Sequence, residues 1–368
     1  MEGLVEEFEI EESKSGDWTC RVKQANKWKY VYSKYKPRTS LNIPSIQEGK
    51  AYVLLGLALG YEVIDLLKQS PSVLYVIEKH EYFMNFVEKE SYFQKAWKDD
   101  RVKIITGEQY KEVKEKFSSE AFINSHLTSF DAQFYGKVVK YLSVESSGKK
   151  EKLAVFRHIT IAQDCADALL TLGYDVQMFT IQEGELLAIE LAKWNIDYLF
   201  SINPHSELLK ASQILDIPYI FWNVDTPHYQ LYSKSMCSNN VFAFIYDKKI
   251  VSDLSQRGYK NIYYMPVAAP SKRLQEVIIE EDEKEYYDSP LSFIGSYGIE
   301  NEYNMFGVDR YARKDLKEAI ALIFERQKKD LNRYLIRDSI DENFVQIFER
   351  DMGSLRTEDL LDKKEKLA

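Results

Sequence analysis

The sequence is poor in cysteine and has no long apolar run, and both absences restrict the classes of protein it can be. Its 368 residues include three cysteines, Cys20, Cys165 and Cys237, which are far apart and form no CxxC pair. This pattern argues against a disulfide framework or a thiolate zinc site and favours reduced thiols. No stretch approaches the roughly 18 apolar residues of a membrane span, and the acidic start MEGLVEEFEIEES lacks the features of a signal peptide. We therefore expect a cytoplasmic protein without a membrane span.

Histidines are also scarce, and basic residues are outnumbered by acidic ones. The chain has 49 Lys and Arg against 58 Asp and Glu, a net charge of −9, whereas nucleic-acid-binding proteins usually present a basic face. The five histidines include no HxH or HxxxH pair, and no GxSxG elbow is present. The sequence therefore predicts no nucleic-acid partner, no metal site and no serine-hydrolase chemistry.

What the sequence does contain is a repeated alternation of buried strands and helices. Apolar strands are predicted at Tyr52–Leu55, Val73–Ile77 and 101–107, with an amphipathic helix after the first and a helical stretch over 108–142. Continuous apolar strands separated by helices are typical of a parallel sheet covered on both faces.

The pattern restarts after a polar linker, SVESSGKKEK at 143–152. We predict an α/β fold with two Rossmann-like parallel-sheet domains followed by a helical C-terminal segment. The predicted parts are an N-terminal hairpin or edge extension, a first Rossmann-like domain, a second, doubly wound domain and the helical segment, at 1–48, 49–145, 150–300 and 301–368.

The first candidate site is the turn GLALGYE. Gly56 and Gly60 follow a strand and open a helix, where free N–H groups favour an anion. Glu78 ends the next strand, where an acid can accept from ribose hydroxyls. The spacing GxxxG is not the dinucleotide fingerprint GxGxxG. A nucleoside cofactor site and an ordinary tight turn with a solvent-facing glutamate both account for these residues.

The second candidate site collects polar residues at the ends of successive strands. These residues are Arg157 and His158, then Asn203 and His205, then Trp222, Asp225 and His228. Each group alone is explained by ordinary capping or turn chemistry. Because ligands collect at the carboxyl ends of parallel strands, the repetition predicts that the groups line one cleft.

Four ordered motifs carry a family resemblance. DYLFSINPHSELLKASQILD, IPYIFWNVDTPHYQLY, VFAFIYDKKIVSDLSQRGYKNIYYMPVAAP and SPLSFIGSYG resemble, in that order, CgeB-like (spore maturation protein) glycosyltransferases over roughly residues 150–305. The last motif adds Gly295 and Ser296 as candidate substrate contacts. Separately, residues 51–90 resemble a segment of Maf-type motility-associated glycosyltransferases.

The resemblance implies a GT-B glycosyltransferase that moves a sugar from a UDP-sugar or another NDP-sugar to a protein or glycan acceptor. It needs no further cofactor, and a homo-oligomer is compatible with it. It implies that Asp225 and His228 act as the base and its partner, or as acceptor contacts. About 70 residues follow SFIGS, fewer than the roughly 100 of a second Rossmann domain, so the chain is expected to carry the acceptor-side half.

Two other interpretations stay open. The 150–300 domain could bind an acceptor or nucleotide without turnover. Alternatively, the segment 51–78 could serve a methyltransferase-like enzyme that uses S-adenosylmethionine, although no acceptor-site motif accompanies its glycine turn.

Overall fold

The N-terminal segment is a small antiparallel sheet. The computed structural model describes residues 7–24, 26–143, 150–226, 228–292, 307–333, 335–353 and 367. Strands β1 (Glu7–Glu12), β2 (Trp18–Gln24) and β3 (Lys27–Tyr30) pair in that order. Side chains of β2 alternate between the two faces of the sheet: Cys20 and Val22 are buried, whereas Arg21 and Lys23 pair with glutamates of β1. The predicted hairpin is thus part of a three-stranded sheet.

The first α/β lobe spans residues 51–142. It contains β4 (Ala51–Leu55), α1 (Tyr61–Leu67), β5 (Val73–Glu78), α2 (Glu81–Val87), α3 (Gln94–Trp97), β6 (Val102–Thr106), β7 (Phe122–Asn124) and α4 (Ala132–Leu142). Its four strands are parallel in the order β6-β5-β4-β7. Strands β4 and β5 bury apolar side chains on both faces. Their sequences are therefore continuous apolar runs.

One strand of this lobe was not anticipated. The stretch 108–142 was predicted to be helical, but β7 interrupts it and pairs with β4. The prediction was wrong there because a three-residue strand within SSEAFINSHL is too short to show a period. The consequence is that the loop after β7 lies beside the glycine turn after β4.

The second α/β lobe begins at residue 152. It contains β8 (Lys152–Phe156), α5 (Ala162–Thr171), β9 (Asp175–Phe179), α6 (Gly184–Lys193), β10 (Tyr198–Ile202), α7 (Ser206–Leu215) and β11 (Tyr219–Asn223). The sheet continues with β12 (Val241–Ile245) and β13 (Ile262–Tyr264), and α8 (Lys248–Gln256) lies between them in sequence. Its strand order is β13-β12-β11-β10-β8-β9. The order 2-1-3-4 of its first four strands is that of flavodoxin-like folds.

The chain divides into two compact units. The first comprises Met1–Trp222 with Asn240–Phe242, and the second comprises Asn223–Asn239 with Ala243–Ala368. Within the first unit, α4 packs on α6 and α7, so Ile189 and Ala192 join the hydrophobic core of the first lobe. Lys193 donates to the carbonyl of Phe122 at 3.0 Å, and burial lowers the pKa of this lysine.

The second unit ends in a helical region. Its helices after α8 are α9 (Ser271–Gln275), α10 (Glu281–Tyr287), α11 (Val308–Tyr311), α12 (Lys314–Lys329), α13 (Ile336–Ser339) and α14 (Glu342–Met352). The helices α11 to α14 share a small core around Leu316, Phe344 and Phe348. Asp341 caps α14 by accepting from the Phe344 N–H at 2.8 Å.

The predicted fold class is confirmed: the protein is α/β, with two parallel sheets and C-terminal helices. The predicted domain boundaries stay a prediction, and most of the predicted linker lies outside the described residues. Among the helices that the structure describes, none combines the length and the apolar character needed to span a bilayer.

Gly60 offers a test of this packing, with Gly49 as its control. Both adopt a left-handed φ, +76° and +74°, but a Cβ on Gly60 would lie 2.4 Å from the Phe93 ring whereas one on Gly49 would meet nothing within 4 Å. We expect Gly49→Ala to cost about 1–2 kcal/mol for the backbone alone. Gly60→Ala should cost about 1–3 kcal/mol more because the core is overpacked. Urea unfolding measures both, and equal losses would contradict this packing.

Candidate functional site

Each α/β lobe has one topological switch point, where ligands of such folds usually bind. In the first lobe it lies between β4 and β7, and in the second between β8 and β10, because strand order reverses there. Both lie within the first compact unit. The candidate residues predicted from the sequence stand at these two places, and their surroundings differ.

At the first switch point the carboxylate of Glu78 is buried and bound to main chain. Its Oε2 accepts from the N–H groups of Leu57 at 2.7 Å and Ala58 at 3.1 Å, and its Oε1 accepts from the N–H of His80 at 2.8 Å. The residue is fully buried, and burial raises its pKa although the three N–H bonds act in the opposite direction. Glu78 therefore holds the glycine turn in place.

The two glycines of the turn are in contact with protein. A Cβ on Gly56, whose φ is +97°, would lie 2.4 Å from Ser125 Oγ and 3.2 Å from Tyr135 Oη. Gly60 has the equivalent close approach to Phe93. These glycines permit close packing of the loop after β7 and of the chain before α3.

The N-terminal sheet covers the same turn. Cys20, Val22 and Tyr32 share a core with Leu59 and Tyr61. All five side chains are buried, at most 2% exposed. Burial raises the pKa of the Cys20 thiol, and the neighbouring carboxylates raise it further, so this cysteine stays protonated.

A buried glutamate fastens this sheet to the lobe. Tyr32 donates through its hydroxyl to Glu62 Oε2 at 2.8 Å, and the other oxygen of Glu62 contacts His126 Nδ1 at 2.9 Å. Burial raises the pKa of Tyr32, and the charge of Glu62 adds to the effect. Glu62, in the first turn of α1, and His126, after β7, are thereby tied to the N-terminal sheet.

A second polar cluster closes the other side of the turn. Asp131 is 4% exposed and pairs with Lys79 and, at 2.5 Å, with His80 Nε2. Burial alone would raise the pKa of Asp131, but the bonds to His80 and Lys79 lower it below its ordinary value. The ring of Phe8 in β1 lies 4.5 Å from that of His80.

The first switch point is therefore filled by the protein's own side chains. The cofactor role of Gly56, Gly60 and Glu78 stays a prediction, and the solvent-facing glutamate of the alternative interpretation is wrong, because Glu78 is 0% exposed. The polar partners around it were missed in the sequence. His126 and Asp131 follow the short strand β7, which has no sequence period, so the pattern does not mark their position.

The second switch point carries an arginine and two histidines. Arg157 and His158 follow β8, and Asn203 and His205 follow β10, and the two strands pair in parallel register. Arg157 is exposed and forms no ion pair within the described residues. Nδ1 of His158 is buried and has no hydrogen-bond partner there. The structure thus brings the predicted residues of these two strands to one edge.

His205 lies between the sheet and the start of α7. Its ring Nε2 is 3.2 Å from the carbonyl of Ile202, and its main-chain N–H donates to the hydroxyl of Tyr219 at 2.9 Å. Burial lowers the pKa of His205, and the nearby charge of His158 lowers it further. The side chain is therefore predominantly neutral at pH 7.

Asn203 and Trp222 set the backbone of this edge. Asn203 is buried in a left-handed conformation, with φ of 59°, and its N–H donates to the carbonyl of Trp222 at 2.9 Å. Asparagine tolerates this conformation better than most residues. Trp222 is 6% exposed, so little of its indole ring is available to a substrate.

Asp225 and His228 belong to the second compact unit, so their predicted convergence with the residues of β8 and β10 stays a prediction. Asp225 is exposed, and the Asn223 amide donates to its carbonyl oxygen at 2.9 Å. Gly295 and Ser296 lie outside the described residues. The described ranges contain no group of three His, Cys, Asp or Glu residues arranged to hold a metal.

A depression of about 460 Å³ lies at the opposite edge of the second sheet. It is lined by residues that precede its strands, Lys150, Glu151, Asp197, Tyr198, Asp216, Ile217 and Pro218. Because ligands of open α/β sheets bind at the carboxyl ends of the strands, the switch point is the better candidate site.

Comparisons with known proteins add no functional assignment. No family model and no curated protein matches the chain. The solved C-terminus of E. coli RcsC (residues 700–949, with a linker region and phosphoreceiver domain) is 13% identical over 68% of this chain and 99% of that chain, with a TM-score of 0.21. Pen from Bacillus thuringiensis is 11% identical over 67% of this chain and 78% of its own, with a TM-score of 0.19. Scores this low carry no argument about fold or activity.

Glu78→Gln tests the role of the buried carboxylate. A glutamine keeps one oxygen but turns an amide donor toward a main-chain N–H, which leaves a buried donor unpaired at a cost of about 1–3 kcal/mol. Glu88→Gln, an exposed change of equal charge, should stay within about 0.5 kcal/mol of the parent. Urea unfolding compares them, and a neutral Glu78→Gln would show that the carboxylate does not hold the turn.

His205→Gln tests the environment of the second switch point. The pKa of His205 lies below its ordinary value of 6.5, so the unfolded chain binds more protons than the folded one as the pH falls through that value. Stability should therefore be lost on acidification, and less of it should be lost in His205→Gln. Thermal unfolding between about pH 8 and pH 5.5 measures this, and parallel curves for the two proteins would contradict it.

Proposed function

We propose that the protein is a glycosyltransferase that uses a nucleotide-sugar and modifies a protein or glycan acceptor. The observation that carries the proposal is the polar edge of the second lobe, where Arg157, His158, Asn203 and His205 stand at a topological switch point. The ordered motifs that resemble CgeB-like glycosyltransferases run through the same strands and supply the reaction class. The fold alone would not, because α/β sheets host many chemistries.

The reaction requires three contributions from the protein. A base must take a proton from the acceptor hydroxyl, positive charge or N–H groups must stabilise the leaving nucleoside diphosphate, and both substrates must be held in line. Imidazole and carboxylate side chains can act as bases near neutral pH. Guanidinium groups can stabilise phosphate oxygens.

Asp225 is the proposed base, with His228 as its partner. Asp225 follows β11 on a turn that is held by the amide of Asn223, and the hydroxyls of Thr226 and Tyr246 bond to each other beside it. The turn thus presents an exposed carboxylate. His228 lies three residues further on, and its ring stacks near that of Tyr229 at 6.5 Å.

The first lobe has a supporting role in this proposal. Its switch point is filled by the N-terminal sheet, and its acids are engaged by backbone N–H groups, histidines and a lysine. This arrangement disfavours the alternative in which Gly56, Gly60 and Glu78 bind S-adenosylmethionine. A binding module without turnover remains the other outcome of the experiment below.

Turnover of nucleotide-sugars tests the proposal. The full chain, incubated with UDP-, GDP- and CMP-sugars, should release the nucleotide from at least one of them by hydrolysis or transfer. Asp225→Asn should lower this rate at least about 100-fold, since it removes the base. Asp100→Asn, another exposed aspartate, is the matched control and should leave the rate unchanged.

The outcomes separate the alternatives. A thermal shift with a nucleotide-sugar but no release would favour the binding module. Stabilisation by S-adenosylmethionine alone would favour the methyltransferase interpretation and overturn the proposal.

A further inference from the structure

We propose that the second switch point is a subsite for a phosphate or diphosphate group, formed by Arg157, His158 and His205. This inference rests on the proposed function only for its place in the reaction. It places the phosphate of a substrate in the lobe for which the family resemblance implies the acceptor side.

The guanidinium of Arg157 stands at the second switch point without an acidic partner among the described residues. Most described arginines pair with a carboxylate, as Arg21 does with Glu9 and Arg350 with Asp315. Arg157 is exposed, forms no ion pair within the described ranges and stands directly after β8. An arginine that lacks an acidic partner in a chain of net charge −9 has a guanidinium available for a phosphate, which it binds through two parallel N–H groups.

Two imidazoles lie at the same edge. His158 follows Arg157 directly and has a buried Nδ1 without a partner in the described part of the chain. His205, after β10, is close enough for the charge of His158 to lower its pKa. An anion placed beside both rings would offer an acceptor to the unpaired nitrogen and favour the protonated form of His205.

Two helices begin at this edge and add main-chain donors. The ten-residue helices α5 and α7 start at Ala162 and Ser206, and neither has a side-chain capping bond at its N-cap residue. Their first N–H groups favour negative charge. Of the acids in their first turns, Glu207 accepts from the N–H of Gly184 at 2.7 Å and is thus engaged with α6. Asp164, at α5, and Glu207 are the negative charges of these first turns that an anion would meet.

Titration with inorganic pyrophosphate tests the subsite directly. The full chain should bind it in calorimetry, and Arg157→Ala should weaken binding about tenfold or more, as expected for loss of a charge-assisted bond. His158→Gln and His205→Gln should each weaken it by a smaller factor. Lys150→Ala removes the same charge at the opposite edge of the sheet and should leave the affinity unchanged.

The source of the phosphate is decided by a second set of ligands. If UDP or GDP competes with pyrophosphate and a sugar 1-phosphate does not, the subsite holds the nucleotide of the donor; the reverse identifies a phosphorylated acceptor. Pyrophosphate binding without any sugar release would support the subsite and contradict the proposed function. No binding at about 10 mM pyrophosphate, or equal losses in Arg157→Ala and Lys150→Ala, overturns the subsite whether or not sugar is transferred.

Discussion

The structure of the first lobe depends on one buried carboxylate. Glu78 ends β5 and binds three main-chain N–H groups, two of them in the turn after β4. A turn fixed in this way sets where α1 begins, and α1 carries Tyr61 and Glu62, on which the N-terminal sheet packs. Moving an ionised carboxylate out of water is costly unless its oxygens are bonded. The N–H bonds are therefore what makes the burial tolerable, and the neighbouring packing follows from them.

Each of the two lobes has a topological switch point, but the residues around the two points differ. Both place loops side by side where strand order reverses. In the first lobe, apolar and aromatic residues fill the space, and each buried acid has partners. In the second, an arginine and an imidazole nitrogen lack partners within the described chain. A guanidinium without an acidic partner at a switch point is available to an anion, whereas a buried carboxylate bound by main-chain N–H groups holds structure.

The sequence was informative where local pattern determines structure and uninformative where distant residues meet. The strands β4, β5 and β8 were predicted because their side chains are buried on both faces and leave continuous apolar runs. The Tyr32–Glu62–His126 contacts join residues 30 and 64 positions apart, and no period records such a meeting. Glu78 shows the limit most clearly, since an acid at a strand end looks the same in sequence whether it faces a ribose or its own backbone.

Net charge is a poor guide to the potential at the second switch point. The protein carries a charge of −9, yet many of its acids are neutralised locally, as Asp131 is by Lys79 and Glu9 by Arg21. Exposed charges more than about 8–10 Å away are largely screened at physiological ionic strength. An approaching anion therefore experiences mainly the groups of the edge itself: an unpaired guanidinium, two imidazoles and the N–H groups of two helices. On this basis an acidic protein can present a local site for phosphate, and an anion bound there would raise the pKa of His205, which burial lowers in the free protein.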